Sequence, residues 1–327
     1  MSSEDADEAA TKREGVGTLH KDVPGLDRGN VIGRYVVLDV IGQGGMGIIY
    51  AAFDPELDRK VALKLLQPGS TGSGSTSAGS QAWLLREAQA MARLSHPNVI
   101  AVHDVGTFGD RVFIAMELIE GVTLREWVKH QKHSWREVID VMRAAGAGLA
   151  AAHRAGLVHR DFKPDNVLVG NDGRVRVMDF GLARLGDHAV TPASRDSDLT
   201  IESRSPLTDQ LTEAGTVMGT PAYMAPEIHD GVSADARSDQ FAFGVALYEA
   251  LYRMRPYEKG ELTRPQREVT PKTPPDIGLP ANLGRSVLRA IAIDPAARFP
   301  SMDALLAELA VDTSVRSRRI AIAAAFG

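Results

Sequence analysis

The sequence predicts an α+β fold, and three observations carry that prediction. Short apolar strands gather in the first third of the chain: Val36-Val37-Leu38, Ile48-Ile49-Tyr50-Ala51 and Val61-Ala62-Leu63-Lys64-Leu65. Mid-chain, Val167-Leu168-Val169 and Val175-Arg176-Val177 flank Gly170-Asn171-Asp172-Gly173, which has the composition of a hairpin turn. Further on, Phe241-Ala242-Phe243-Gly244-Val245-Ala246-Leu247 continues towards Leu251 and is apolar nearly all round, as a buried helix is. A chain of 327 residues can fill two modest cores or one bilobal domain.

Composition narrows the classes of function. With 44% hydrophobic and 24% charged residues the chain is an ordinary globular protein. Its net charge of -5 provides no basic field for nucleic acid, so no nucleic-acid partner is expected. Cysteine is absent, which excludes disulfides and thiolate metal sites and fits a reducing, cytoplasmic setting. The acidic start, Met1-Ser2-Ser3-Glu4-Asp5, has no apolar stretch and is not a secretory signal. Residues 1–31 are polar, acidic and without period, and read as a disordered tail, with order starting near Arg34-Tyr35-Val36.

Glycines 42, 44 and 47 follow Ile41 at GxGxxG spacing. Glycine at such positions lets backbone N–H groups approach phosphate oxygens with no Cβ in the way. The spacing alone is shared with dinucleotide-binding folds, in which the glycines lead into a helix. Strand-like residues stand on both sides here, so the glycines form a hairpin flap. In the next strand Val61, Leu63 and Leu65 take one face while Ala62 and Lys64 share the other. A small residue beside a lysine suits a flat base near Ala62 and a phosphate reached by Lys64; taken alone, however, the strand reads more readily as a half-buried strand carrying a solvated lysine.

A Gly/Ser-rich stretch from Gly69 to Ser80 reads as a flexible insertion before a helix from about Gln81 to Leu94. Leu84, Ala88, Met91 and Leu94 form the apolar stripe of that helix, and Glu87 lies on the same face. A carboxylate turned inward needs a cation, and Lys64 is the expected partner.

The motifs His159-Arg160-Asp161-Phe162-Lys163-Pro164-Asp165-Asn166 and Met178-Asp179-Phe180-Gly181 flank the mid-chain hairpin. Antiparallel pairing brings Asn166 and Asp179 to one open end, with Asp161 close by. Carboxylates and an amide grouped in this way suit Mg²⁺ and the activation of a hydroxyl. His159 has a competing reading as a general base, since its ordinary pKa lies near 6.5. Residues from about 182 to 215 are rich in Ser, Thr, Asp and Arg without period, a long loop of functional or disordered type. After a last helix, Ser301 to Leu309, Arg316-Ser317-Arg318-Arg319 runs into Ile320-Ala321-Ile322-Ala323-Ala324-Ala325-Phe326-Gly327. That pattern reads either as the start of a membrane span, which needs roughly 20 residues, or as a short amphipathic tail.

Taken together, these motifs with Gly219-Thr220-Pro221-Ala222-Tyr223-Met224-Ala225-Pro226-Glu227 and Asp239 resemble a eukaryotic-type Ser/Thr protein kinase. The likeness is greatest to the membrane-tethered kinases of bacteria and spans Arg34 to Val311. It implies a bilobal kinase domain over 32–311: a five-stranded antiparallel N-lobe with one main helix over 32–118, and a mainly helical C-lobe over 119–311. Residues 312–327 would form a juxtamembrane-like tail.

The resemblance further implies ATP and Mg²⁺ as cofactors. Asp161 would accept or orient the hydroxyl proton, Lys163 would contact the γ-phosphate, and Asn166 and Asp179 would hold Mg²⁺. Glu87 would seat Lys64 on the phosphates. Ile41, Gly42, Gly44, Gly47, Ile49, Ala62, Met116, Glu117, Ile119 and Leu168 would line the nucleotide, with Met116 as gatekeeper. His159 becomes structural, Asp239 ties down the catalytic loop, and Glu227 pairs with Arg298. Phe162 and Phe241 replace the commoner leucine and tryptophan and keep their bulk.

Arg160 before Asp161 marks kinases whose activation loop is phosphorylated, which points to Thr212 first and then Thr216. Thr220 is expected to contact Asp161 and Lys163 instead. Partners would be proteins carrying Ser or Thr, with a homodimer for autophosphorylation and a C-terminal membrane tether left open. Two other classes share the pattern. A nucleotide-binding pseudokinase would have lost Lys64, Asp161 or Asp179, and all three are present; a small-molecule phosphotransferase would not need the Gly219-to-Glu227 peptide platform.

Overall fold

The computed structural model describes residues 25–44, 47–67, 77–180, 221–258, 260–263 and 269–310. The first lobe is a six-stranded antiparallel sheet in the order β1-β2-β3-β4-β6-β5. Its strands are β1 (Val31–Ile32), β2 (Tyr35–Gly44), β3 (Gly47–Asp54), β4 (Arg59–Leu66), β5 (Val102–Phe108) and β6 (Arg111–Glu117). Five of them match the expected lobe. The sixth, β1, is a two-residue edge strand made by a tight hairpin in which Ile32 pairs with Tyr35. Gly33 supplies the left-handed φ of +58° that this turn requires.

Residues 25–31, read from composition as part of a disordered tail, instead belong to this lobe. Leu26 N donates to the Tyr50 hydroxyl at 3.0 Å, Gly29 N donates to Val37 O at 2.9 Å, and Leu26 packs on the sheet. The polar composition hid them because their order comes from bonds to β2 and β3, not from local periodicity. Residues 1–24 and 311–327 lie outside the described residues.

The alternation of β4 sorts its side chains as its pattern requires. Val61, Leu63 and Leu65 enter a core with Tyr35, Tyr50 and Phe113 on one face of the sheet. Ala62 faces the other way, into the larger core that continues through both lobes to Phe162 and Phe241. Lys64, in step with Ala62, is only 4% exposed.

Helix α1 (Ser77–Ala92) covers that second face with Leu84, Ala88 and Met91. Its sequence has no β-branched residue and five alanines, which favours helix. It begins before Gln81, so Ser77–Ser80, read as the end of the Gly/Ser linker, are helical. The residue before Pro97 is disfavoured from helix, and the chain leaves α1 ahead of it.

The second lobe opens with β7 (Gly121–Thr123), which pairs with the hairpin β8 (Val167–Gly170) and β9 (Val175–Val177). Helices α2 (Leu124–His130), α3 (Trp135–Arg154), α4 (Pro226–His229), α5 (Ala236–Tyr252), α6 (Ala281–Ala290) and α7 (Met302–Glu308) complete it. Ser134 and Glu137 form a capping box on α3, and Asp235 accepts the N–H groups of Arg237 and Ser238 at the start of α5. α5 is buried along nearly its whole length.

The lobes are stitched where β9 passes the segment before β5. Val177 N donates to Asn98 O, Ile100 N donates to Val177 O, and Asn98 Nδ2 donates to Val175 O, all at 2.8–2.9 Å. Gly148 of α3 permits this approach, because a Cβ there would lie 2.3 Å from Asn98 O. Among the described residues no helix is long and apolar enough to cross a membrane.

Candidate active site

The loop from His159 to Asn166 hangs from one carboxylate. Asp239, in the first turn of α5 and 1% exposed, accepts His159 N at 2.7 Å and Arg160 N at 2.8 Å. His153 Nε2 lies 2.8 Å from the same carboxylate. These bonds hold Arg160 in a left-handed conformation, φ 66°, that costs a non-glycine residue roughly 1–3 kcal/mol. The role expected for Asp239 is thus what the geometry displays; the help it receives from His153 was not legible in the sequence.

His159 is fully buried against Phe162 and Phe180, with ring centroids at 5.7 and 4.6 Å. Its Nε2 donates to Met178 O at 2.9 Å, and its Nδ1 accepts from Asp161 N at 3.3 Å. Burial pushes its pKa below the ordinary histidine value, outweighing the nearby carboxylates Asp239 and Asp161. A neutral ring with both nitrogens engaged is a structural strut, and the general-base reading of His159 fails on this geometry.

Asp161 is held both at its carboxylate and at its backbone oxygen. Lys163 Nζ lies 2.6 Å from its Oδ2, and Asn166 Nδ2 donates to its backbone O at 2.8 Å and to Oδ2 at 3.2 Å. The hairpin then does what antiparallel pairing requires: Val167 pairs with Val177, and Met178 N donates to Asn166 O at 3.0 Å. Asp179 follows at once, itself left-handed at φ 65°. The two oxygen donors expected to meet Mg²⁺ therefore sit at one end of the hairpin, beside Asp161.

One expectation is corrected. Lys64 does not pair with Glu87; its Nζ lies 2.7 Å from Asp179 Oδ1. Glu87 Oε1 instead accepts Arg160 Nη1 at 3.0 Å. Each member of the expected pair has been taken by another opposite charge. Arg160, which reaches α1, and Asp179, which reaches β4, are both left-handed in the backbone. The inward carboxylate on α1 did need a cation, but the sequence could not rank Lys64 against Arg160.

The other expected lining residues flank β4. Ala62 is the cross-strand partner of the buried Met116, and Ile49 is the partner of Lys64. Leu168 and Ile119 are half-buried and pack on the same core. Gly42 pairs with Ile49 and Gly44 with Gly47 across the β2–β3 hairpin, while Ile41 is exposed. Gly47 has φ +144°, and a Cβ there would lie 2.1 Å from Leu65 O. Gly45, Met46, Thr212, Thr216 and Thr220 lie outside the described residues.

Two charge networks went unread. Arg176, 3% exposed on β9, reaches Glu117 at 3.2 Å and Asp172 at 2.8 Å, while Glu117 Oε1 accepts Ala101 N at 3.0 Å. A lone charge between two buried valines was the available signal. Arg125, Asp165, Tyr223 and Glu249 form a second network and are far apart in sequence. In the scaffold, Arg298 is fully buried and bonds Glu227 in bidentate fashion at 2.6 and 2.8 Å, as expected.

Residues 35–288 match the family described as protein kinase domain. The serine/threonine-protein kinase PknL of Mycobacterium tuberculosis is 38% identical over 286 residues, covering 84% of this chain and 65% of PknL. The serine/threonine-protein kinase pkn3 of Myxococcus xanthus is 38% identical over 301 residues, covering 86% of this chain and 51% of pkn3. This chain thus spans 65% or less of the length of these relatives. The crystal structure of the PknI kinase domain of Mycobacterium tuberculosis superposes with a TM-score of 0.63 at 26% identity, covering 87% of this chain and 98% of that one. Fold, motif order and sequence agree, and the chain belongs to the protein kinase family.

Proposed function

We propose that this chain transfers the γ-phosphate of Mg-ATP to serine and threonine hydroxyls of proteins. The observation that carries the reading is the convergence of Asp161, Lys163 and Asn166 with Asp179 and Lys64 at the junction of the lobes. The residues present fit the cofactors. Asn166 commits its Nδ2 to Asp161, which leaves its amide oxygen for a cation, and Asp179 adds a carboxylate oxygen; these are hard donors of the kind Mg²⁺ prefers. Lys64 is a buried ammonium suited to phosphate oxygens. When bound, Mg²⁺ supplies neutralisation of the charge that builds on the phosphates.

The chain's own groups would do the rest. Asp161 aligns the acceptor hydroxyl and takes its proton, since a neutral serine hydroxyl is a poor nucleophile. Lys163, held at 2.6 Å from that carboxylate, brings positive charge to the side on which the transferred group arrives. For Lys64 to serve the phosphates its pair with Asp179 must open, and Glu87 must leave Arg160 to support Lys64. Ile41, Gly42, Gly44, Gly47, Ile49, Ala62, Met116, Glu117, Ile119 and Leu168 would enclose the nucleotide.

Regulation follows from Arg160. A phosphate on Thr212 or Thr216 carries about -1.5 to -2 charge and would compete with Glu87 for that guanidinium. Thr220 would contact Asp161 and Lys163. A homodimer for autophosphorylation and a membrane tether beyond residue 311 belong to the same reading.

The test is transfer of labelled γ-phosphate from Mg-ATP to the protein and to a generic basic protein substrate, followed by phosphoamino-acid analysis. Label on serine or threonine supports the proposal. Nucleotide binding with no transfer overturns it in favour of a nucleotide-binding scaffold.

A further inference from the structure

Beside the catalytic loop, four elements bring two carboxylates onto one guanidinium. Arg125, in the first turn of α2, donates Nε to Asp165 Oδ1 at 2.7 Å and Nη2 to Asp165 Oδ2 at 2.8 Å. Nη2 also donates to the Tyr223 hydroxyl at 3.0 Å, and that hydroxyl donates to Glu249 of α5. Arg125 Nη1 lies 3.8 Å from Glu249 Oε1, and Arg255 approaches the same oxygen, also at 3.8 Å. A planar guanidinium held bidentate by one carboxylate and flanked by a second is a complete cation site, filled from within the chain.

The site is open to solvent: the Arg125 and Asp165 side chains are 37% and 42% exposed. An ion pair so exposed contributes little to stability, about 0–1 kcal/mol. Its position matters more. Asp165 is four residues from Asp161 and two from Lys163, in the turn whose Asn166 holds Asp161. A chain spans at most about 3.5 Å per residue, so Asp165 lies within about 14 Å of Asp161. An extended peptide with its hydroxyl at Asp161 covers that distance in about four residues, so a side chain that near the acceptor is within reach of Asp165.

We propose that Arg125 is a specificity-determining residue: its guanidinium occupies the Asp165–Glu249 carboxylates that would otherwise bind a basic side chain of the substrate, so this kinase does not select for arginine or lysine near the phosphoacceptor. The inference rests on the protein-kinase reading above and deepens it. Any substrate cation would have to displace Arg125 and leave its charge without a partner, which cancels the gain.

The test uses peptides with a single Ser/Thr acceptor and Arg, Ala or Glu placed at each position within about four residues of it. Wild-type protein is expected to give kcat/KM ratios for Arg over Ala within about twofold at every position. In Arg125→Ala the ratio should rise about tenfold at one position or more, and Arg125→Ala/Asp165→Asn should remove the rise. A wild-type preference for Arg of about tenfold overturns the inference by itself, whether or not the variants fold. So does an unchanged ratio in a folded Arg125→Ala. Transfer to these peptides with either of those results leaves the kinase reading intact, whereas no transfer to any peptide or to the protein itself overturns both.

Discussion

Lys64 and Asp179 form an ion pair across the junction of the lobes, Nζ to Oδ1 at 2.7 Å, with the lysine side chain 5% and the aspartate side chain 14% exposed. The groups proposed to meet phosphate and metal thus neutralise each other. A lysine so withdrawn from water is tolerable only with a partner of this kind. Lys64→Met keeps the bulk and removes the charge, and phosphate transfer should fall by about 10²–10³-fold, the range for loss of one preorganised electrostatic group. Initial rates at saturating Mg-ATP check this; a loss under about tenfold would mean that Lys64 does not serve the phosphates.

Glu87 and Arg160 join α1 to the catalytic loop at 3.0 Å, with side chains 20% and 24% exposed. Solvent screens the pair partly, so its coupling should be about 0.5–1 kcal/mol. A double-mutant cycle of Glu87→Gln and Arg160→Gln in urea measures it. A coupling of zero would leave Glu87 free to move without cost.

Arg298 and Glu227 should matter far more to stability. The arginine is fully buried, and besides Glu227 it donates only to backbone carbonyls of Ala292, Arg237 and Ile293 among the described residues. Glu227→Ala strands that charge and should cost about 3–5 kcal/mol. The exposed Arg154–Asp303 pair, with side chains 59% and 60% exposed, is the control, and Asp303→Ala should cost less than about 1 kcal/mol. Urea midpoints of the two variants decide the contrast.

Alkaline pH should destabilise the fold. Burial, aided by the Glu249 hydrogen bond, pushes the Tyr223 hydroxyl up to about 12. Burial also raises Tyr35, Tyr248, Tyr252 and Tyr257. A group whose pKa is higher folded than unfolded holds more protons in the native state. Its contribution is fully present below the unfolded value of about 10 and is lost as pH rises through the folded value. The urea midpoint should therefore fall between about pH 10 and 12, and Tyr223→Phe should reduce that slope. An unchanged slope would show that Tyr223 ionises alike in both states.

What the sequence made legible was what local periodicity or local pairing determines. The two-residue period of β4 placed Ala62 and Lys64 together, and the hairpin from Val167 to Val177 brought Asn166 to Asp179. Glu227 with Arg298 was legible through motif resemblance. What escaped depended on competition between distant charges. Arg125 and Asp165 are 40 residues apart, and Tyr223 and Glu249 lie on different elements. Arg160 and Asp179, which take Glu87 and Lys64 as their partners, are both left-handed in the backbone, a conformation uncommon outside glycine that the sequence does not assign to either position. The strand Val31–Ile32 escaped because two residues have no period.

The most direct test of the central claim is phosphate transfer by Asp161→Asn beside the wild-type protein, with ATP affinity measured on both. The substitution keeps the shape of the side chain and removes the proton acceptor. Nucleotide affinity should stay near normal while transfer to Ser/Thr falls by about 10²–10⁴-fold, the range for loss of a positioned acid–base group. Transfer by Asp161→Asn at the wild-type rate would contradict the claim.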